Sequence, residues 1–316
     1  MELSMQKALG TGVVNRKKKS ALIAQQPYHL LMLPGIIMLS LFWLIPLIIG
    51  FGMPFQRYRP ALGFFGSEWV GLKNFRTIFS MNNFRQILFN TIYIAGMKMF
   101  LGLLVTIFIS LLLNEIRNIY FKRTIQTLVY FPHFLSWVLL GSILIDFLSP
   151  SVGLLNNILA AIGIKRVFFL ADKNWFPFVM VFTDIWKEFG WSTIIILAAM
   201  TNIDPTHYEA AVIDGAGRLK QTWHITLPGI RPIIVLSIVL SLGGILNAGF
   251  DQILNMYSPI VYETGDILDT AIYRMGLLDR QYSVSAAIGL FKSVVSITLI
   301  LASYRLADRV AGYRVI

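Results

Sequence analysis

The chain contains no cysteine. Disulfides, thiolate metal sites and cysteine nucleophiles are therefore excluded together. Charge is also scarce, with Asp, Glu, Lys and Arg making up 14% of 316 residues, against about a quarter in a soluble globular domain. Histidine is confined to His29, His133, His207 and His224, scattered without metal-ligand spacing. No Gly-x-x-x-x-Gly-Lys-Ser/Thr segment occurs, so the usual phosphate cradle is missing. Nor is there a repeat of roughly 20–50 residues or a low-complexity tract. These absences exclude the two-domain soluble enzyme that length alone would suggest.

Apolar length takes their place. Hydrophobic residues make up 56% and aromatics 13%, and the mean hydropathy is +0.68. A hydrocarbon core of about 30 Å is crossed by about 20 residues of helix. Six segments reach that length with few charges, near 29–53, 90–113, 125–147, 175–199, 230–256 and 283–304. The pattern predicts an all-α polytopic membrane protein. It has a basic N-terminal segment 1–28, a six-span domain 29–304 and a tail 305–316. The first run is too long for a signal peptide, and no small-residue cleavage site follows Pro46.

The net charge of +11 would point to nucleic acid in a soluble protein. Here it gathers in membrane flanks: Lys7 and Arg16 to Lys19, then Arg117, Lys122 and Arg123, then Arg305, Arg309 and Arg314. Six spans put these three segments on one side, and the positive-inside rule makes that side, with both termini, cytoplasmic. Arg57, Arg59, Lys73, Arg76 and Arg85 fall on the other side, suited to an acidic binding protein or an anionic glycan. Segments 68–89 and 151–170 have helical apolar spacing, as short helices at the membrane face or as loops packed on the bundle.

The 204–228 loop is the most distinctive stretch. Asp204 and Pro205 read as an N-cap followed by proline at the first helical position. Tyr208, Ala211 and Val212 make a small apolar face, and Gly215 and Gly217 break the helix. A second helix, Leu219 to Ile225, is expected to stop at Pro228. This helix–turn–helix either fits a pocket on a partner or re-enters the interface without one.

Glu209-Ala210-Ala211, Asp214, Gly215, Gly217, Ile225, Leu227 and Pro228 resemble the signature loop of bacterial binding-protein-dependent transporter permeases. The likeness runs from about Tyr28 to Arg309. Gly71-Leu72-Lys73-Asn74-Phe75, Trp186 to Trp191 and Leu197 to Met200 resemble sugar permeases of the maltose type. Gly249-Phe250-Asp251-Gln252, Tyr257 to Tyr262, Asp269 to Arg274 and Gly289 to Ser293 resemble the subgroup serving polysaccharides and oligosaccharides. Lys292 departs from it, standing where glutamine is more usual.

The resemblance implies the transmembrane subunit of a type I ABC importer, with alginate- or pectin-like fragments among its candidate substrates. It implies that Tyr208, Glu209, Ala210, Ala211, Asp214, Gly215, Gly217, Leu227 and Pro228 form a coupling loop docked on an ATPase. It further implies two copies of that ATPase, a second permease subunit and an external solute-binding protein. No cofactor is expected on this chain; ATP and Mg belong to the partner ATPase.

Polar residues at membrane depth are the remaining candidates, since each ionised group there costs about 2.5–3.5 kcal/mol on the insertion scale. Trp186, Lys187, Glu188, Trp191, Asn247, Phe250, Asp251, Gln252, Asn255 and Lys292 are candidates for a sugar path of amides and aromatic faces. The competing reading pairs Lys187 or Lys292 with Glu188 or Asp251 to hold helices in register. Two other functions compete with ATP-driven import. An ion-coupled secondary transporter would use Asp184, Glu188 and Asp251. A membrane enzyme on lipid-linked sugar would need converging carboxylates or a metal, and none converge in the sequence.

Overall fold

The computed structural model describes residues 30–311. The basic segment 1–28 and Arg314 lie outside the described residues, as does the side chain of Arg309. The chain runs through α1 (Leu30–Phe55), α2 (Lys73–Ser80), α3 (Phe84–Glu115), α4 (Ile119–Phe134), α5 (Trp137–Leu148) and α6 (Leu154–Ala161). It continues through α7 (Phe176–Thr201), α8 (Pro205–Ile213), α9 (Arg218–Gly243), α10 (Phe250–Met256), α11 (Leu268–Tyr273) and α12 (Tyr282–Ala311). A two-residue antiparallel pair, β1 (Gln56–Arg57) with β2 (Glu68–Trp69), is the one sheet among the described residues.

Helices α1, α3, α9 and α12 are long and apolar enough to cross a membrane. Helix α7 is of similar length, 26 residues, but carries Asp184, Lys187 and Glu188 within it. The expected 125–147 span is not a single rod. Helices α4 and α5 meet at 100°. Pro132 opens the 3₁₀ turn at the corner, and Ser136 restarts the chain by accepting from the Leu139 N–H at 3.3 Å. Gly190 of α7 supports this corner, because a Cβ there would overlap the Val129 carbonyl.

The expected 230–256 span is likewise interrupted. Helix α9 ends at Gly243, and α10 starts only at Phe250 after Gly249 adopts φ +95°. That left-handed angle is available to glycine at no steric cost. Gly243 also packs tightly on α12, with a Cβ there falling 2.6 Å from Ile300 Cγ1.

A third expectation fails at Pro228, which does not end its helix. Residues Thr222–Thr226 form a π-turn in which the Leu227 N–H reaches the Thr222 carbonyl. The wider turn carries the chain past a proline whose ring would clash in regular α-geometry. The same device recurs in α1, where the Ile45 N–H reaches the Ser40 carbonyl immediately before Pro46.

The amphipathic segments 68–89 and 151–170 form helices only over Lys73–Ser80 and Leu154–Ala161, plus the first turn of α3. One buried cluster joins Ile94 of α3, Phe176 and Met180 of α7, and Ala248 and Ile253 at the α9–α10 break. A second joins Ile78 of α2, Ile87 of α3, Leu268 of α11 and Ile288 of α12. A third, Ile196 and Met200 with Ile230, binds the end of α7 to the start of α9. In contrast, the apolar faces of α1 are bare: Leu31, Phe42 and Trp43 are all strongly exposed.

Candidate functional site

The segment expected to carry the partner contact is tightly built. Asp204 accepts from the Thr206 N–H at 2.9 Å, and that bond to a helix-start amide holds its carboxyl below the usual carboxylate range. Helix α8 closes with Gly215 at φ +74°, the Gly215 N–H on the Val212 carbonyl and the Ala216 N–H on the Ala211 carbonyl. These two bonds define a Schellman cap, which requires the left-handed residue that glycine supplies. Gln221 Nε2 donates to the Ala216 carbonyl at 2.8 Å, and Tyr208 Oη meets Thr226 Oγ1 at 3.0 Å. The start of α9 is therefore fastened to α8. At the end of α7, Ile203 occupies the space a Gly229 side chain would fill.

This rigid unit leaves apolar side chains bare. Ile213 and Leu219 are each 86% exposed, with Val212 and Trp223 also exposed. Two hollows flank α8. One of 740 Å³ is lined by Asn202, Asp204, His207, Ala211 and Asp214, the other of 590 Å³ by Glu115, Tyr208, Glu209, Ile213 and Arg218. Arg218 lies 3.5 Å from Glu115 across the second. Leu227 and Pro228 stand in α9 just beyond the π-turn.

The charges at membrane depth form three knots. Lys98 Nζ of α3 donates to Asp184 Oδ1 of α7 at 3.0 Å, to the Ala248 carbonyl at 2.8 Å and to Gln252 Oε1. Gln252 is fully buried and donates onward to the Met180 carbonyl and Thr183 Oγ1, both at 2.8 Å. Lys187 donates to Glu188 Oε1 and the His133 carbonyl at 2.8 Å each, with its Nζ 5.5 Å from the Trp137 ring centroid. His133 Nδ1 meets Glu188 Oε2 at 2.7 Å while its ring stacks on Trp191 at 4.6 Å. Lys292 meets Asp269 Oδ1 at 2.5 Å. Lys187 thus pairs with Glu188 inside α7, and the tie to the α4–α5 corner runs through His133, whereas Lys292 pairs with Asp269 and not with Asp251.

Two further hollows lie along the bundle. A 330 Å³ hollow is bounded by Lys98, Asp184, Glu188, Ser192, Ser237 and Ser241. A 670 Å³ hollow is bounded by Asn247, Phe250, Asp269, Tyr273, Tyr282 and Lys292. Of the residues expected on a sugar path, Asn247, Phe250 and Lys292 meet in the larger one and Glu188 borders the smaller. Lys187 and Gln252 are buried in the knots, and Trp191 covers His133. Trp186 and Asp251 are exposed away from both hollows, and Asn255 turns its Nδ2 back to the Asp251 carbonyl at 2.6 Å. The three amides share no hollow: Asn247 lines the larger one, Gln252 belongs to the Lys98 knot and Asn255 bonds back within α10. Sequence reasoning missed Lys98, Asp269, His133 and the serines of the smaller hollow. Lys98 carried one legible signal, a charge inside an apolar run.

This helical bundle with its capped loop matches known proteins. The family model for the binding-protein-dependent transport system inner membrane component matches residues 98–312. The chain belongs to this family. It is thus a membrane transport permease subunit and not an enzyme. The permease is 42% identical over 295 residues to the polygalacturonan/rhamnogalacturonan transport system permease protein YteP of Bacillus subtilis (strain 168), covering 93% of this chain and 92% of that one. It is 40% identical to Protein LplB of the same organism, covering 89% and 88%. Among solved structures, a bacterial ABC transporter involved in the import of the acidic polysaccharide alginate contains a chain of TM-score 0.85 at 35% identity. That match covers 93% of this chain and 99% of the other. The bacterial alginate ABC transporter in complex with an alginate pentasaccharide-bound periplasmic protein contains a chain of TM-score 0.84, also at 35% identity.

Proposed function

We propose that this permease forms half of the translocation pathway of an ATP-driven importer for oligosaccharides or polysaccharide fragments. The observation that carries this reading is the capped α8 with the first turns of α9: Val212 and Ile213 of the one and Leu219 and Trp223 of the other are exposed, and Tyr208 and Thr226 fasten the two helices together. Such a unit transmits a push from an ATPase subunit to the spans without deforming. Two copies of that ATPase use ATP and Mg, and the 204–228 loop of this chain is the coupling element. A second permease subunit completes the pore, and the bare faces of α1 are consistent with cover from lipid or from that subunit. An external solute-binding protein delivers the glycan. The chain then lies in the cytoplasmic membrane with α8 and both termini on the inner side and α2, α6 and α11 toward the outside.

The sugar class rests on the relatives, whose names and structures concern polygalacturonan, rhamnogalacturonan and alginate. The two hollows along the bundle supply hydroxyls, an amide and aromatic faces of the kind sugars bind. Co-purification tests the coupling assignment. Glu209→Lys and Gly215→Asp each leave the permease in the membrane but lose the ATPase. Retained ATPase with normal sugar-stimulated hydrolysis in both variants rejects it.

A further inference from the structure

An ammonium carries three N–H donors, and by this measure the three lysines at membrane depth differ. Lys98 uses all three, on Asp184, Ala248 and Gln252. Lys187 uses two, on His133 and Glu188, and lies over the Trp137 ring with its side chain 7% exposed. Lys292 has one partner among the described residues, Asp269 Oδ1. Its side chain and that of Asp269 are 17% and 20% exposed, and both border the 670 Å³ hollow. Lys292 is therefore the depth cation with donors to spare beside an open space.

A glutamine at this position would bind sugar hydroxyls without bringing a charge into the bundle. A lysine adds one capability, a full positive charge for a carboxylate. Its resident partner takes one donor with one oxygen and leaves two for a second carboxylate. Around it, Asn247 offers an amide for hydroxyls. Phe250 and Tyr273, with ring centroids 5.7 Å apart, offer apolar faces for sugar C–H groups.

We infer that Lys292 is a specificity-determining residue that takes the carboxylate of a uronic-acid-containing oligosaccharide on the donors that Asp269 leaves free. The inference rests on the transport reading above and narrows its substrate to acidic glycans. Asp269 keeps the cation paired between transport events, which limits the cost of an isolated charge at that depth.

The test uses the complete complex, with its ATPase and binding protein, in proteoliposomes. Stimulated hydrolysis is measured with an oligogalacturonate and with the same glycan after carboxyl reduction, and again with an oligoalginate pair. Comparing the acid-to-neutral ratio between variants cancels the binding protein's own preference. Lys292→Gln is expected to lower that ratio by about tenfold, the size of one charge-assisted hydrogen bond, while response to the reduced glycans persists. Asp269→Asn is expected to raise the ratio, because the competing carboxylate is gone. A merely structural ion pair predicts instead that both variants weaken both glycans alike. The double variant Lys292→Gln/Asp269→Asn keeps a neutral hydrogen-bonding pair if a single variant fails to assemble, and its ratio must also fall. An unchanged ratio in Lys292→Gln or in the double variant overturns the inference. Wild-type complex stimulated only by the reduced glycans also overturns it and leaves the transport reading standing. Wild-type complex stimulated by neither class overturns the inference, and it overturns the transport reading as well where a panel of neutral oligosaccharides also fails to stimulate hydrolysis.

Discussion

Tyr208 Oη and Thr226 Oγ1 lie 3.0 Å apart, joining α8 to the π-turn from which α9 rises. Thr226 is buried and Tyr208 half-buried at that contact, beside the 590 Å³ hollow. The bond links the exposed apolar cluster of α8 directly to a spanning helix.

Tyr208→Phe removes this bond with little loss of volume. We expect a local cost of about 1 kcal/mol, typical of one neutral hydrogen bond. The ATPase should remain bound, while the number of sugars moved per ATP falls. The check is a paired measurement of uptake and phosphate release in proteoliposomes. An unchanged ratio would show that the bond does not transmit force.

The Lys98–Asp184 pair ties α3 to α7 and, through Ala248 and Gln252, to the break between α9 and α10. Lys98→Met strands the Asp184 carboxylate and should destabilise the purified permease by about 3–5 kcal/mol. Lys98→Met with Asp184→Leu should recover most of that loss, because the uncompensated charge is gone. Thermal unfolding in detergent reads both. A double variant no more stable than Lys98→Met would mean that the bonds to Ala248 and Gln252, rather than the charge pair, hold the site.

The Asp204 cap has a predictable pH response. Its folded pKa lies below the ordinary carboxylate value because the charged form accepts the Thr206 N–H. Stability from this group is therefore present above the unfolded pKa and is lost as pH falls through the folded one, in the acid range below about 4. Asp204→Asn keeps an acceptor and should abolish this pH dependence, while Asp204→Ala removes the cap at every pH. Hydrogen exchange over 204–216, corrected for its intrinsic pH dependence, distinguishes the three proteins. Identical pH profiles for wild type and Asp204→Asn would remove the carboxylate from the cap.

Local chemistry was legible in the sequence wherever the cause was local. The Asp204-Pro205 start and the Gly215 stop of α8 could be read directly, since capping depends on neighbouring residues. The break at 244–249 was partly legible: Gly243-Gly244 permits a kink or a close helix approach, but the apolar run around it reads as one continuous span. The 100° corner between α4 and α5 was hidden for the same reason, with Pro132 within a run of adequate length. Among the depth charges, Lys187 with Glu188 was readable as adjacent residues. Lys98 with Asp184 and Lys292 with Asp269 were not, because their partners are distant in sequence and no local pattern announces them.

Pro46 and Pro228 each follow a π-turn by one intervening residue. Each turn holds one residue more than an α-turn and widens to take it, so the residues beyond keep their face. The extra residue is absorbed where it stands, and α9 presents the same side to its neighbours as a regular helix one residue shorter. Deleting one residue from Thr222–Thr226 would leave Ile230 in its buried seat but set the Pro228 ring against the carbonyl one α-turn before it. The turn that tolerates a proline is thus also the place where this helix can best lose or gain a residue.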